Sequence, residues 1–258
     1  VPFTNEAAGG EVYNTISYLA NSMHEPEVLY AGSDDGLVHI RKDEGSEWMN
    51  ISPLVEGESL VNAIEISPHD PAKVYVVITR YKFGDHRPFI FRSTDYGQTW
   101  ENIGANLMDS DYVRVVREDP NLEGLLYAGT ERGLSISFDD GQSWSAFQSN
   151  LPVCPITDLI IKDNDLVAST SGRGFWILDD LGGLQQGKGQ LDSVQIALIQ
   201  PKPTHKFVFG GGGGPTNGIN PLVGVTIDYY LPHDVKPSDT LELTILNELG
   251  DAIRSYTS

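Results

Sequence analysis

Two stretches of this 258-residue chain are near-copies of each other. Tyr30-Ala31-Gly32-Ser33-Asp34-Asp35-Gly36-Leu37 returns as Tyr127-Ala128-Gly129-Thr130-Glu131-Arg132-Gly133-Leu134. Downstream, Asp43-x-Gly45-x-x-Trp48 recurs as Asp95-x-Gly97-x-x-Trp100 and as Asp139-x-Gly141-x-x-Trp144, at spacings of 52 and 44 residues. A repeated unit of this size cannot bury its own apolar face and must stack on its neighbours. A period of roughly 45–50 residues suits a β-propeller blade of four short strands.

The rest of each unit fits that plan. Before each Asp motif stand two β-rich runs parted by a polar turn. Ala63-Ile64-Glu65-Ile66, the turn Ser67-Pro68-His69-Asp70-Pro71 and Val74-Tyr75-Val76-Val77 form the clearest example. The runs are too short for helices and rich in β-branched and aromatic residues. The expected fold is all-β, with about four blades near residues 10–51, 60–103, 110–147 and 154–184. The fourth unit degenerates: Phe175-Trp176-Ile177-Leu178-Asp179-Asp180 lacks the Gly and Trp that should follow.

Ser93-Thr94-Asp95-Tyr96-Gly97-Gln98-Thr99-Trp100 and Ser137-Phe138-Asp139-Asp140-Gly141-Gln142-Ser143-Trp144 both fit S-x-D-x-G-x-x-W, the Asp-box or BNR signature. Around Asp43, Arg41 stands in place of the serine. The chemistry is that of a hairpin turn: the carboxylate accepts backbone N–H groups. Gly supplies a positive φ, and Trp covers the turn. The expected role of all nine residues (Asp43, Gly45, Trp48, Asp95, Gly97, Trp100, Asp139, Gly141, Trp144) is structural.

In a propeller, the loops joining second to third strands share a face with the blade-to-blade connections, where the central channel opens. Here those loops are Ser33–Gly36, Thr79–Pro88, Thr130–Gly133 and Thr170–Gly174. Three carry arginine, and the candidate ligand-binding residues are Arg80, Tyr81, Arg132, Arg173, Asp34, Asp35 and Glu131. Either these charges pair locally, Arg132 and Arg173 with Asp34, Asp35 or Glu131, or the arginines converge on a carboxylated or sulfated ligand that their planar forks would grip. Glycoside hydrolysis needs two facing carboxyl groups; Asp34, Asp35, Asp85 and Glu131 are available, none in a distinguishing motif. Histidines 24, 39, 69 and 86 show no metal-ligand spacing. No cofactor motif is present; Asp34-Asp35 and Asp139-Asp140 could attract Ca²⁺, but EF-hand spacing is absent.

Acidic side chains outnumber basic ones 36 to 17, for a net charge of −19. That balance disfavours nucleic acid and anionic membranes as partners. No apolar run approaches the ~20 residues of a membrane helix. The single cysteine, Cys154, excludes an intrachain disulfide. Valine at position 1 points to processing, an internal boundary or a partial chain.

Beyond residue 190 the blade pattern stops. Residues 191–219, with the unbroken run Gly210–Gly214, read as a linker. Residues 220–258 hold alternating strands that open like an immunoglobulin-like sandwich and end before it could be complete.

Leu125–Leu134 and Gly172-Arg173-Gly174-Phe175-Trp176-Ile177-Leu178-Asp179-Asp180 resemble a bacterial family of secreted Asp-box proteins related to the sortilin N-terminal propeller. Val225–Leu231 looks like the start of the flagellar-hook-capping type of immunoglobulin-like domain. The resemblance implies a secreted or cell-surface protein whose remaining blades come from further sequence or another chain. It implies a non-catalytic scaffold or binding module for protein or glycan, with self-assembly as one form. The alternative is a sialidase- or xyloglucanase-like glycoside hydrolase with part of its active site outside this chain. Ser171 departs from the histidine the family pattern leads one to expect there.

Overall fold

The computed structural model describes residues 14–43, 45, 47–107, 111–187, 196–204, 224–232, 234, 236 and 239–257; the glycine run 210–214 lies outside them. The chain divides into two compact units, Val1–Leu181 and Gly182–Ser258.

The first unit is a stretch of β-propeller. Blade one is the meander β1 (Ile16–Asn21), β2 (Leu29–Ser33), β3 (Val38–Arg41), β4 (Met49–Asn50). Blade two is β5 (Leu60–Ile66), β6 (Val74–Arg80), β7 (Asp85–Ser93), β8 (Glu101–Asn102). Blade three is β9 (Val113–Glu118), β10 (Leu126–Thr130), β11 (Leu134–Ser137), β12 (Ser145–Ala146). The fourth sheet has three strands among the described residues, β13 (Ile156–Lys162), β14 (Asp165–Thr170) and β15 (Phe175–Leu178). The degenerate motif after Leu178 is where its meander stops. The first strands of successive blades pack side by side, β1 on β5, β5 on β9 and β9 on β13.

The second unit contains the short helix α1 (Gly182–Gly187) and two two-stranded antiparallel sheets. One pairs β16 (Ala197–Leu198) with β17 (Tyr229–Tyr230), the other β18 (Glu242–Leu246) with β19 (Ala252–Thr257).

Burial between blades follows the repeat. The pairing registers place Leu19, Ile64, Val116 and Leu159 at one equivalent position. Ile64, Val116 and Leu159 are at most 1% exposed, whereas Leu19 in the first blade is 61% exposed. At the other end, Ile40, Ile136 and Ile177 share a position on the third strand. The first two are buried, and Ile177 in the last blade is 60% exposed. Ile16 and Phe175 are exposed for the same reason. Each end of the stretch therefore presents half of a blade-to-blade seam.

The Asp-box turns stitch those seams. Asp95 accepts hydrogen bonds from the Thr99 N–H (2.8 Å), the Thr99 hydroxyl (2.7 Å) and the Ser93 hydroxyl (2.7 Å). Ser93 Oγ in turn accepts from the Gly97 N–H at 2.8 Å. Asp139, Ser143, Ser137 and Gly141 repeat the pattern. The hydrogen bonds from Thr99, and then from Ser93, hold the Asp95 carboxyl down at about 2. Gly97 and Gly141 both sit at φ 86°, and a Cβ there would strike Ile51 and Ile103 of the preceding blade. The tryptophans reach the same two residues: Trp100 Nε1 donates to the Ile51 carbonyl (2.7 Å) and Trp144 Nε1 to that of Ile103 (2.9 Å). Trp48 is 42% exposed and lies 5.7 Å from the Arg41 guanidinium.

The seam between blades two and three also carries buried charge. Lys73 reaches Glu118 (3.2 Å) and Asp140 (3.1 Å). Asp140 further accepts from Tyr75 (2.6 Å) and Arg92 (2.7 Å). Beside this cluster, turns link in series: His24 Nε2 donates to the Ser67 carbonyl (3.0 Å) and His69 Nε2 to that of Asp119 (2.7 Å). These two histidines occupy matching turns, a repeat legible in Ser22-x-His24-Glu25-Pro26 and Ser67-x-His69-Asp70-Pro71.

Where the first strands meet, Arg117 of blade three joins all four blades. Its Nε donates to the Leu159 carbonyl (2.7 Å). Nη1 donates to Glu65 (3.3 Å) and the Val116 carbonyl (3.0 Å). Nη2 donates to the Tyr18 hydroxyl (3.1 Å) and Asp158 (2.9 Å). All five guanidinium donors are thus matched. Burial pushes the Glu65 carboxyl up to about 7, against the opposing pull of Arg117.

Two predictions follow from these seams. Ile64→Ala should cost about 2–5 kcal/mol, the range for a buried aliphatic truncation. Leu19→Ala, at the same repeat position, should stay within about 0.5 kcal/mol because it is already in water. Urea unfolding of both variants measures this. Glu65 binds its proton more tightly folded than its ordinary value of 4.5. Its contribution to stability is therefore full below about 4.5 and lost as pH rises through about 7. Between pH 5 and 8 the wild-type melting temperature should fall relative to that of Glu65→Gln.

Candidate functional site

The second-to-third loops fold onto the residues that precede the first strands. The N–H groups of Asp34, Glu131 and Ser171 donate to the carbonyls of Thr15 (3.0 Å), Tyr112 (3.2 Å) and Pro155 (2.9 Å). Each of these three loops is thereby tied to the residue just before the first strand of its own blade. These bonds put the loops and the blade entries on one side and set which side chains stand together there.

The loop of blade two is the longest. Its 3₁₀ turn Tyr81–Phe83 closes at Gly84, which has φ 75°. Asp85 is gripped by Arg80 (2.8 Å) and by Arg87 (2.8 Å), and Arg80 Nε also donates to the Glu58 carbonyl (3.1 Å). The Arg87 hydrogen bond, and then the charges of Arg87 and Arg80, hold the Asp85 carboxyl down at about 2. Arg80 is therefore engaged inside its own loop.

Tyr81 stacks on Tyr112, which enters from the connection between blades two and three. The centroids are 4.9 Å apart and the rings 11° from parallel. His86 tilts against Tyr112 at 5.7 Å. Arg114 lies 5.2 Å from the Tyr112 centroid and 5.7 Å from that of Tyr81. Arg114 donates to the Tyr112 hydroxyl (2.7 Å) and twice to Glu131 (2.9 and 2.8 Å). Glu131 thus pairs with Arg114, from the adjacent strand, which no motif marked. Tyr112 is buried, Tyr81 half-buried, and His86 exposed. Burial, and then Glu131, push the Tyr112 hydroxyl up to about 12.

Next to this stack, Asp111 accepts from the Thr130 hydroxyl at 2.9 Å. Burial pushes its carboxyl up, opposed by Thr130 and Arg132. Arg132 is exposed at the loop tip. Asp34 accepts from the Asn14 and Thr15 N–H groups, both at 2.9 Å. Asp35 accepts from the Leu37 N–H (3.2 Å) and from the Ser33 hydroxyl. Both aspartates cap backbone within their own blade. Arg173 is exposed on a turn between Gly172 (φ 84°) and Gly174 (φ 72°), its carbonyl accepting from Trp176 Nε1 at 3.1 Å. The structure thus brings Tyr81 and Glu131 into one cluster with Tyr112, Arg114 and His86, while Asp34, Asp35 and Arg173 belong to the loops of other blades. Tyr112 and Arg114 escaped sequence reasoning because they lie outside the repeated motifs; the aromatic preceding Val113 was the available signal.

No protein-family model matches the chain. Among curated proteins it is 27% identical over 244 residues to a xyloglucanase of Paenibacillus sp., covering 88% of this chain and 23% of that protein. It is 33% identical over 144 residues to the xyloglucanase Xgh74A of Acetivibrio thermocellus, covering 48% of this chain and 16% of the relative. The chain therefore spans less than a quarter of the length of these relatives. Among solved structures, the GH74 xyloglucanase of Xanthomonas campestris matches with TM-score 0.50 at 16% identity, over 63% of this chain and 29% of that one. The GH74 enzyme of Niastella koreensis matches with TM-score 0.51 at 17% identity, over 65% and 28%. At such identities the likeness is one of fold, and it agrees with the sheets described above: the first unit is a four-blade stretch of β-propeller.

Proposed function

We propose that this chain is a segment of an extracellular glycoside hydrolase of the xyloglucanase type, and that it contributes glycan-binding surface on its channel face. The observation that carries this reading is the 244-residue similarity to a protein named xyloglucanase, which covers 88% of the chain and so extends past the propeller blades. Net charge supports it as well. A surface at −19 does not repel a neutral polysaccharide as it would a polyanion. The sequence-derived carboxylates on this face, Asp34, Asp35, Asp85 and Glu131, are all bonded to partners within the protein. In this reading the catalytic pair is completed by sequence outside the chain. The C-terminal unit would begin the immunoglobulin-like domain expected from its strand pattern.

A scaffold that assembles through its blade ends is the second reading. It is favoured by the bare apolar positions Ile16, Leu19, Phe175 and Ile177.

Affinity electrophoresis separates the two. Gels containing soluble xyloglucan should retard the protein, and gels containing acidic polygalacturonate should not. Mobility unaffected by xyloglucan and by other neutral β-glucans, together with concentration-dependent self-association, would leave the scaffold reading in its place.

A further inference from the structure

We infer that the Tyr81–Tyr112 stack, with Glu131 and Arg114 at its side, is a binding subsite for one residue of a neutral β-glucan. The inference rests on the glycan reading above and names the place and chemistry of contact.

Sugar recognition needs two things at once: a flat apolar surface for the C–H face of a pyranose ring, and fixed polar groups at its edge for the hydroxyls. Ligand sites in general combine apolar or aromatic walls with a few placed polar groups. The stack supplies the first. Tyr112 is 5% exposed and anchors the pair, while Tyr81 keeps partial exposure at 4.9 Å from it. An offset stack fixes the outer ring without a large entropy loss on binding. The edge supplies the second. The Glu131 side chain is 35% exposed and that of Arg114 is 23% exposed, so both remain open to solvent while they hold each other. A carboxylate with lone pairs to spare and a guanidinium beside it can accept from and donate to neighbouring hydroxyls.

The position is also built rather than incidental. The Glu131 N–H bonds the Tyr112 carbonyl at 3.2 Å, so the polar edge and the aromatic floor are tied by backbone. Three chain segments meet here: the 3₁₀ turn of blade two, the connection into blade three, and the loop after β10. Beside the stacked rings Arg114 and Glu131 form a one-to-one ion pair with no net charge, which suits an uncharged ligand.

The test is isothermal titration of the 258-residue chain with a xyloglucan oligosaccharide and a cello-oligosaccharide. Wild type should bind at least one of them. Tyr81→Ala should lower affinity about tenfold or more, and Tyr81→Phe, which keeps the ring, should bind within about threefold of wild type. Glu131→Gln should weaken binding, while Tyr256→Ala, in the other unit, should leave it unchanged. Melting curves of each variant establish that the fold is retained. If wild type binds and Tyr81→Ala and Glu131→Gln bind equally well, this subsite is refuted and the glycan reading survives. If Tyr81→Phe loses as much as Tyr81→Ala, the ring is not the platform, and the inference falls. If wild type binds neither sugar, both this inference and the function it rests on are overturned.

Discussion

The four blades are joined at one side chain. Arg117 stands where the first strands converge and satisfies five donors with acceptors from every blade. Only a guanidinium could do this, because its planar fork points five N–H groups outward from one charge. A lysine in its place would bring three donors on a flexible stem. The cost of withdrawing such a charge from water is recovered only when every donor is met, and here every donor is met. The two carboxylates around it are unequal. Burial pushes the Glu65 carboxyl up to about 7, whereas Asp158 is 64% exposed.

Away from that junction, the blades are held by a device that repeats. A hairpin turn, fixed by its own aspartate and serine, projects a glycine and a tryptophan onto the isoleucine that follows the last strand of the preceding blade. The turn must be rigid for this, since the glycine comes within contact distance of an isoleucine side chain. The aspartate thus acts two steps from the seam: it shapes the turn, and the turn positions the tryptophan. This explains why a motif so prominent in sequence has no place on the channel face. It also explains the asymmetry at the ends of the stretch, where the same residue types are exposed for want of a neighbour.

Function gathers on the opposite logic. The channel-face loops differ from blade to blade because they are not required to stack. One caps backbone with its aspartates, one pairs its glutamate with Arg114, one carries an arginine between glycines, and one is long enough to fold into a 3₁₀ turn and lay a tyrosine on its neighbour. A rigid framework with divergent loops is a common route to a binding site. What distinguishes the seam between blades two and three is the combination of stacked rings with a carboxylate and guanidinium that neutralise each other. That combination suits a neutral ligand carrying many hydroxyls.

The sequence by itself determined the all-β fold, the blade period and the structural turns, because these depend on local patterns. Two-residue alternation, turn residues and the spacing of Asp, Gly and Trp are all written within a few positions of one another. The candidate loops were legible for the same reason, since Arg80, Tyr81, Arg132 and Glu131 stand between recognisable strands. Tertiary structure alone decided the partners. Arg114 rather than Arg132 takes Glu131, Asp85 takes Arg80, and Tyr112 receives Tyr81, because each pairing brings together residues whose separation in the chain carries no periodic signal. Arg117 was invisible for the same cause: apart from the neighbouring Val116 carbonyl, its acceptors lie 52, 99, 41 and 42 residues away, on strands that meet only after the blades have stacked.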